Sequence, residues 1–157
     1  MDKYIGISEE RLHHILNVAR ECYKIAKSEG FHEDFCRKMF MIGWNHDVGY
    51  EFSVTQEEHP KISSEMIHQM VGINNVYDVL ISKKANDAIY YHGKCPDESL
   101  KRVNEWRILN IADMTIDSKG NKVTVSQRLD DIKNRYGEDS DQYLTAYDIA
   151  CQIGLQV

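Results

Sequence analysis

The residue pair best suited to chemistry is His46-Asp47, set within Gly43-Trp44-Asn45-His46-Asp47-Val48-Gly49-Tyr50. Consecutive side chains on a helix project about 100° apart, so this imidazole and carboxylate can both reach one hard-to-borderline metal ion. The same donor types recur at His14 upstream and at His59, His92 and Asp113 downstream. In chain order the donors read His, His-Asp, His, His, Asp, and helices packed together could bring them to one point. A single helical histidine is more often structural than a ligand; the flanking glycines and ordered partners are what set His46-Asp47 apart. Imidazole and carboxylate donors without thiolates admit Fe, Mn, Co, Ni or Zn, and relative affinity does not choose among these ions.

Helices must position these groups. Only two prolines occur, Pro60 and Pro96, and apolar residues recur at intervals of three and four rather than two. The expected fold is all-α, a compact bundle of about six to seven helices. Ser8 reads as an N-cap, with Glu9 and Glu10 in the positive first turn and Leu12, Ile15, Leu16, Ala19, Cys22, Tyr23 and Ala26 as the inner stripe, up to a stop at Gly30. A second helix, expected over 33–48, is apolar on most sides and delivers His46 and Asp47 in its last turn. After a polar connector at 52–58, His59-Pro60 opens a third helix that closes at Val71-Gly72. A fourth is expected over 76–91, ending at His92-Gly93, and a fifth over 97–116 with Asp113 on its inner side. Beyond a turn at 117–121, residues 123–125 are either extended or the entry to a helix reaching Tyr136, and a last helix is expected over 139–153.

Several of these stretches resemble the HD-domain superfamily of metal-dependent phosphohydrolases. They are Arg11-Leu12-His13-His14 with Val18-Ala19, Trp44 to Tyr50, Glu58-His59-Pro60 with Ser63-Ser64-Glu65, Ala88 to Gly93 with His92, and Ile111-Ala112-Asp113-Met114. The similarity spans residues 8–120 and continues weakly beyond. It implies one HD domain over 1–157, with a metal-site core at 8–120 and C-terminal helices at 124–153. It also implies that His14, His46, Asp47 and Asp113 form a primary metal set and that Asp47 bridges to a second ion. His59 and His92 stand where two-metal members carry additional ligands. Simpler roles for them, a helix N-terminal residue and a helix C-terminal cation favoured by the dipole, stay open. Tyr50 stands where many family members have lysine.

Of the seven histidines, His13, His32 and His68 are expected at the surface. Arg11 lies one turn before His14, where its guanidinium could grip a phosphate oxygen; a solvated surface arginine fits the same spacing. Tyr50, Glu58, Lys94, Arg107 and Asp117 are weaker candidates for contacts around the metals or the substrate.

The length of 157 residues suits one domain with a real core. A net charge of −6, from nineteen Lys and Arg against twenty-five Asp and Glu, disfavours a nucleic-acid polymer as partner. A small anionic substrate remains compatible, because metal ions bring their own positive charge. Cys22, Cys36, Cys95 and Cys151 show no Cys-x-x-Cys spacing, and no long apolar run or leader pattern is present, so a cytoplasmic protein without a membrane span is expected. Cys22 and Cys36 read as small core residues. A homodimer is compatible with the nine tyrosines but not required by them.

The expected function is hydrolysis of a small phosphoester, nucleotide-like, by water activated at one or two divalent metals, with Asp47 and Arg11 as catalytic residues. The same ligand order also resembles that of mixed-valent diiron oxygenases, and a metal-binding regulatory domain without turnover is the other alternative.

Overall fold

The computed structural model of the chain describes residues 7–51, 59–70, 82–94 and 98–155. All regular structure among them is helical. The first helix, α1 (Glu9–Ser28), begins at Ser8, whose hydroxyl accepts the Arg11 backbone N–H at 3.1 Å. Glu9 and Glu10 lie against the positive end of its dipole. Gly30 follows its C-terminus at φ 85°, a conformation that lets the chain reverse into α2 (Glu33–Asn45). These two helices pack closely because Gly43 has no Cβ: one built there would lie 2.7 Å from the Ala19 Cα. The contact sets the part of α1 that follows His14 against the end of α2 that precedes His46.

The second helix is shorter than the expected 33–48. It ends at Asn45, with His46 as C-cap, because side chains take up its last carbonyls: Asn45 Nδ2 donates to Met41 O at 2.8 Å and His46 Nδ1 to Gly43 O at 2.6 Å. The chain continues into a 3₁₀ turn, Val48–Glu51. Helix α3 (His59–Met70) packs on that turn, where the Gly49 N–H donates to Ser63 Oγ at 2.7 Å. Helix α4 (Lys83–Tyr90) starts at Ser82, which caps the Ala85 N–H. The expected connector at 52–58 with Glu58, the stop at Val71-Gly72 and the early part of the fourth helix, 76–81, lie outside the described residues, as does Cys95.

The fifth helix also departs from expectation. Instead of one helix over 97–116, the chain forms a 3₁₀ turn, Glu98–Arg102, and then α5 (Asn104–Met114), separated by an extended Val103 at φ −84° and ψ 113°. Tertiary contacts fix this restart. Glu105 is buried against Lys38 of α2, with Nζ to Oε2 at 2.9 Å, and Trp106 Nε1 donates to the carbonyls of Tyr91 and Lys94 at 3.2 and 3.1 Å. The alternative left open at 123–125 resolves as helix entry. Thr124 and Gln127 form a reciprocal capping box that starts α6 (Val125–Tyr136). The extended character nearby is a single antiparallel bridge between Ile116 and Lys122. Ser140 caps α7 (Asp141–Gln152).

Val18, Cys22, Met39, Ile42, Ile89, Trp106, Ile108 and Leu109 are fully buried where α1, α2, α4 and α5 meet. A smaller apolar cluster of Met114, Val125, Leu129 and Ala150 ties α6 and α7 to the end of α5. No helix among the described residues is long and apolar enough to cross a membrane.

Candidate metal centre

Six residues from five helices and their ends converge. His14 comes from α1, His46 and Asp47 from the end of α2, His59 from the first residue of α3, His92 from the turn after α4, and Asp113 from α5. The four histidines and Asp47 are at most 5% exposed, whereas the Asp113 side chain is 21% exposed. Such burial of ionisable groups is costly unless each is paired or binds a metal.

The ring orientations are set by the backbone. His14 Nδ1 lies 2.8 Å from Asp117 O, His46 Nδ1 2.6 Å from Gly43 O, and His92 Nδ1 2.7 Å from Ile89 O. A carbonyl can only accept, so each Nδ1 donates its proton outward and each Nε2 is turned inward toward the carboxylates. A metal-ligating histidine has its other nitrogen held in this way, and gives up any Nε2 proton when the ion binds.

What the Nε2 atoms face divides into two halves across Asp47. Asp47 Oδ2 lies 3.3 Å from His46 Nε2 and 3.5 Å from His14 Nε2, while Asp113 Oδ1 lies 2.9 Å from His14 Nε2 and 3.5 Å from His46 Nε2. Asp47 Oδ1 instead faces His59 Nε2 at 3.0 Å and His92 Nε2 at 3.3 Å. The latter two nitrogens are 2.7 Å apart. Donors about 2.0–2.2 Å from a shared cation stand about 3–3.5 Å from one another, so the spacings of 3.0–3.5 Å are compatible with ligand atoms around an ion, while those of 2.7 and 2.9 Å are hydrogen-bond distances.

The donor set fits a metal. His46 Nε2 is buried with no hydrogen-bond partner, 3.3 Å from Asp47 Oδ2 and 3.5 Å from Asp113 Oδ1. His14, His46 and Asp113 form one group able to hold an ion, and His46, Asp47 and His92 form another. Electrostatics agree. Burial opposes charge on His46, but the adjoining Asp47 and Asp113 carboxylates outweigh it and raise its pKa to about 9. Burial likewise favours protonation of Asp47, yet His46, His59 and His92 hold it well below the usual carboxylate range; His14 and His46 do the same for Asp113. These shifts favour positive charge at the centre, which protons or a metal ion could supply.

Around this core, Arg11 Nη1 donates to Asp47 Oδ2 at 3.1 Å, with a quarter of its side chain exposed to the cavity above. Asp117 takes part through its carbonyl on His14, while its carboxylate accepts the backbone N–H groups of Lys119 and Asn121 in the following turn. Lys94 is exposed at the cavity rim. Arg107 is not at the site: its guanidinium makes a two-pronged pair with Glu29, at 3.0 and 2.5 Å. His13 and His32 are exposed, and His32 caps α2. Glu58 and the side chains of Tyr50 and His68 lie outside the described residues.

A cavity of roughly 230 Å³ opens onto the centre. Part of its lining was not singled out from sequence. Asn110 is buried in it, accepting the Gly93 N–H at 2.8 Å and donating to Trp106 O at 2.8 Å. An amide within the run Ile108-Leu109-Asn110-Ile111 was the signal that could have found it. Arg128, Asp141, Gln142 and Thr145 bring α6 and α7 to the opposite wall, and no motif marked them.

Comparison of the chain with protein-family models, curated proteins and solved structures gave no match.

Proposed function

We propose that the protein is a metal-dependent phosphohydrolase of the HD-domain type, acting on a small, nucleotide-like phosphoester through two divalent transition-metal ions shared by Asp47. The observation that carries this reading is the convergence of four imidazole Nε2 atoms on the two oxygens of one buried carboxylate, with three of the rings anchored through Nδ1 by backbone carbonyls. His14, His46, Asp113 and Asp47 Oδ2 would hold one ion, and His59, His92 and Asp47 Oδ1 the other.

When bound, such ions supply positive charge for phosphoryl oxygens and lower the pKa of a coordinated water toward neutrality. The chain does the rest. Backbone carbonyls on the Nδ1 atoms keep the imidazoles from rotating, so no reorganisation is needed as charge develops. Arg11 pairs with Asp47 and lines the cavity, so its guanidinium charge would stand beside a non-bridging oxygen of the substrate. Burial of the histidines keeps bulk water from the ligand atoms and strengthens each of these interactions.

The test is a phosphatase and phosphodiesterase screen of the purified protein with Mn, Fe, Co, Ni, Zn and Mg added in turn. Phosphate release that depends on the added metal and disappears in Asp47→Ala supports the reading. Wild-type turnover in Asp47→Ala sinks it, as does the absence of phosphate release with every metal.

A further inference from the structure

The cavity has a second cationic feature away from the His–Asp centre. Arg128, in the first turn of α6, lines it with only 13% of its side chain exposed. Its Nε is buried and has no hydrogen-bond partner, and the same holds for Asp131 Oδ2, the carboxylate oxygen beside it. Nη1 lies 3.5 Å from Asp131 Oδ2, beyond the range of about 2.7–3.2 Å of an N–H···O hydrogen bond. Asp131 is also shared, since its Oδ1 stands 3.5 Å from Arg135 Nε. The fork of Arg128 is thus sequestered at the cavity wall without the two-pronged acceptor that a buried guanidinium ordinarily has. Arg107, by contrast, has such an acceptor in Glu29.

We infer that Arg128 makes the α6 wall of the cavity an anion subsite, so that the substrate carries a second anionic group besides the phosphoester at the metal centre. The substrate class rests on the phosphohydrolase reading; the subsite itself does not. A planar fork fits either a carboxylate or a second phosphate. Asp141, Gln142 and Thr145 of α7 line the same cavity and supply acceptors and donors for hydroxyl groups rather than for a further anion. A cavity of roughly 230 Å³ lies below the range of about 300–1,000 Å³ typical of drug-sized ligands. The class indicated narrows the nucleotide-like reading to a short, hydroxylated phosphoester the size of a sugar phosphate, with an anion at its other end.

Three probes of one skeleton test this by calorimetric titration into the zinc-loaded full chain: glycerol 3-phosphate, 3-phosphoglycerate and glycerol 1,3-bisphosphate. At least one of the two doubly anionic probes should bind about tenfold tighter than glycerol 3-phosphate, and which one does so tells carboxylate from phosphate. That ratio should fall below about twofold in Arg128→Gln and stay intermediate in Arg128→Lys, which keeps the charge without the fork. Circular dichroism checks that both variants fold. Equal affinities in the wild-type protein, absence of all binding included, overturn the subsite, as does a ratio that survives Arg128→Gln. Phosphate release from the same three probes is assayed alongside with Mn, Fe, Co, Ni, Zn and Mg added in turn. Discrimination without any turnover would fail the hydrolase reading alone, and turnover without discrimination would fail the subsite alone.

Discussion

Asp47 is the residue on which the site depends. It is 2% exposed, and its two oxygens face different pairs of imidazoles, so it neutralises charge on both sides at once. In chelator-treated protein the pH dependence of stability follows from the direction of each shift. His46 is raised to about 9 from an ordinary 6.5, so its contribution is complete below 6.5 and is lost as pH rises through 9. Asp47 and Asp113 are depressed, so theirs is present above their ordinary 3.8 and is lost as pH falls below it. Thermal melts of the metal-free protein should therefore peak between pH 4 and 6.5 and decline on both sides. Metal reverses the alkaline limb. Because a ligating His46 must give up the Nε2 proton, metal affinity should rise with pH up to about 9, with protons released on loading. Competition titrations with a chromophoric chelator at pH 6 and pH 8 would measure this; equal affinities at the two would contradict it.

The elements place these ligands through close contacts that leave little tolerance. At Gly49 a Cβ would lie 2.1 Å from the His59 carbonyl oxygen and 2.6 Å from the Ser63 N, both backbone atoms that cannot swing aside. Gly49→Ala should therefore push α3 and its His59 away from Asp47, destabilising the fold by about 1–3 kcal/mol in denaturant melts and lowering metal content. Ser63→Ala tests the same contact from the other side: it strands the buried Gly49 N–H and should cost about 1–3 kcal/mol. Unchanged stability in Gly49→Ala would show that the approach of the 3₁₀ turn to α3 does not constrain the site. At the other end of the chain, Thr124→Ala removes half of the capping box of α6 and should cost about 1 kcal/mol without altering metal content. A loss of metal in that variant would mean that α6 supports the centre more directly than its contacts indicate.

At the scale of the molecule, the helical class was legible because apolar spacing of three and four is a local signal, and the start of α1 was legible because Ser8 announces itself chemically, whereas the Thr124 cap leaves both an extended piece and a helix entry open. Where the sequence misled, tertiary contacts outweighed local pattern. The break at Val103 follows from Glu105 and Trp106 finding partners on α2 and near Lys94, and the early end of α2 follows from His46 bonding its own helix. The site divides in the same way. His14, His46, Asp47, His59, His92 and Asp113 could be singled out because metal donors are few in kind, and the structure brings all six together. The α6 and α7 wall could not, because an arginine, an aspartate and a threonine on amphipathic helices look alike whether they meet solvent or a cavity. Trp106 links the scales. It is fully buried, and its indole N–H holds the carbonyls of Tyr91 and Lys94 on either side of His92-Gly93. Trp106→Ala should cost about 3–5 kcal/mol and loosen His92 as well, seen as weaker metal retention in the fraction that remains folded.

The most direct measurement is to count metal ions per chain by elemental analysis of the purified protein, for wild type and for His59→Ala with His92→Ala. A binuclear centre shared by Asp47 requires close to two ions per wild-type chain and close to one in the double variant, which keeps His14, His46, Asp47 and Asp113. One ion or none in the wild-type protein, saturated with any of the candidate metals, would contradict it and leave His59 and His92 as a buried pair without a metal.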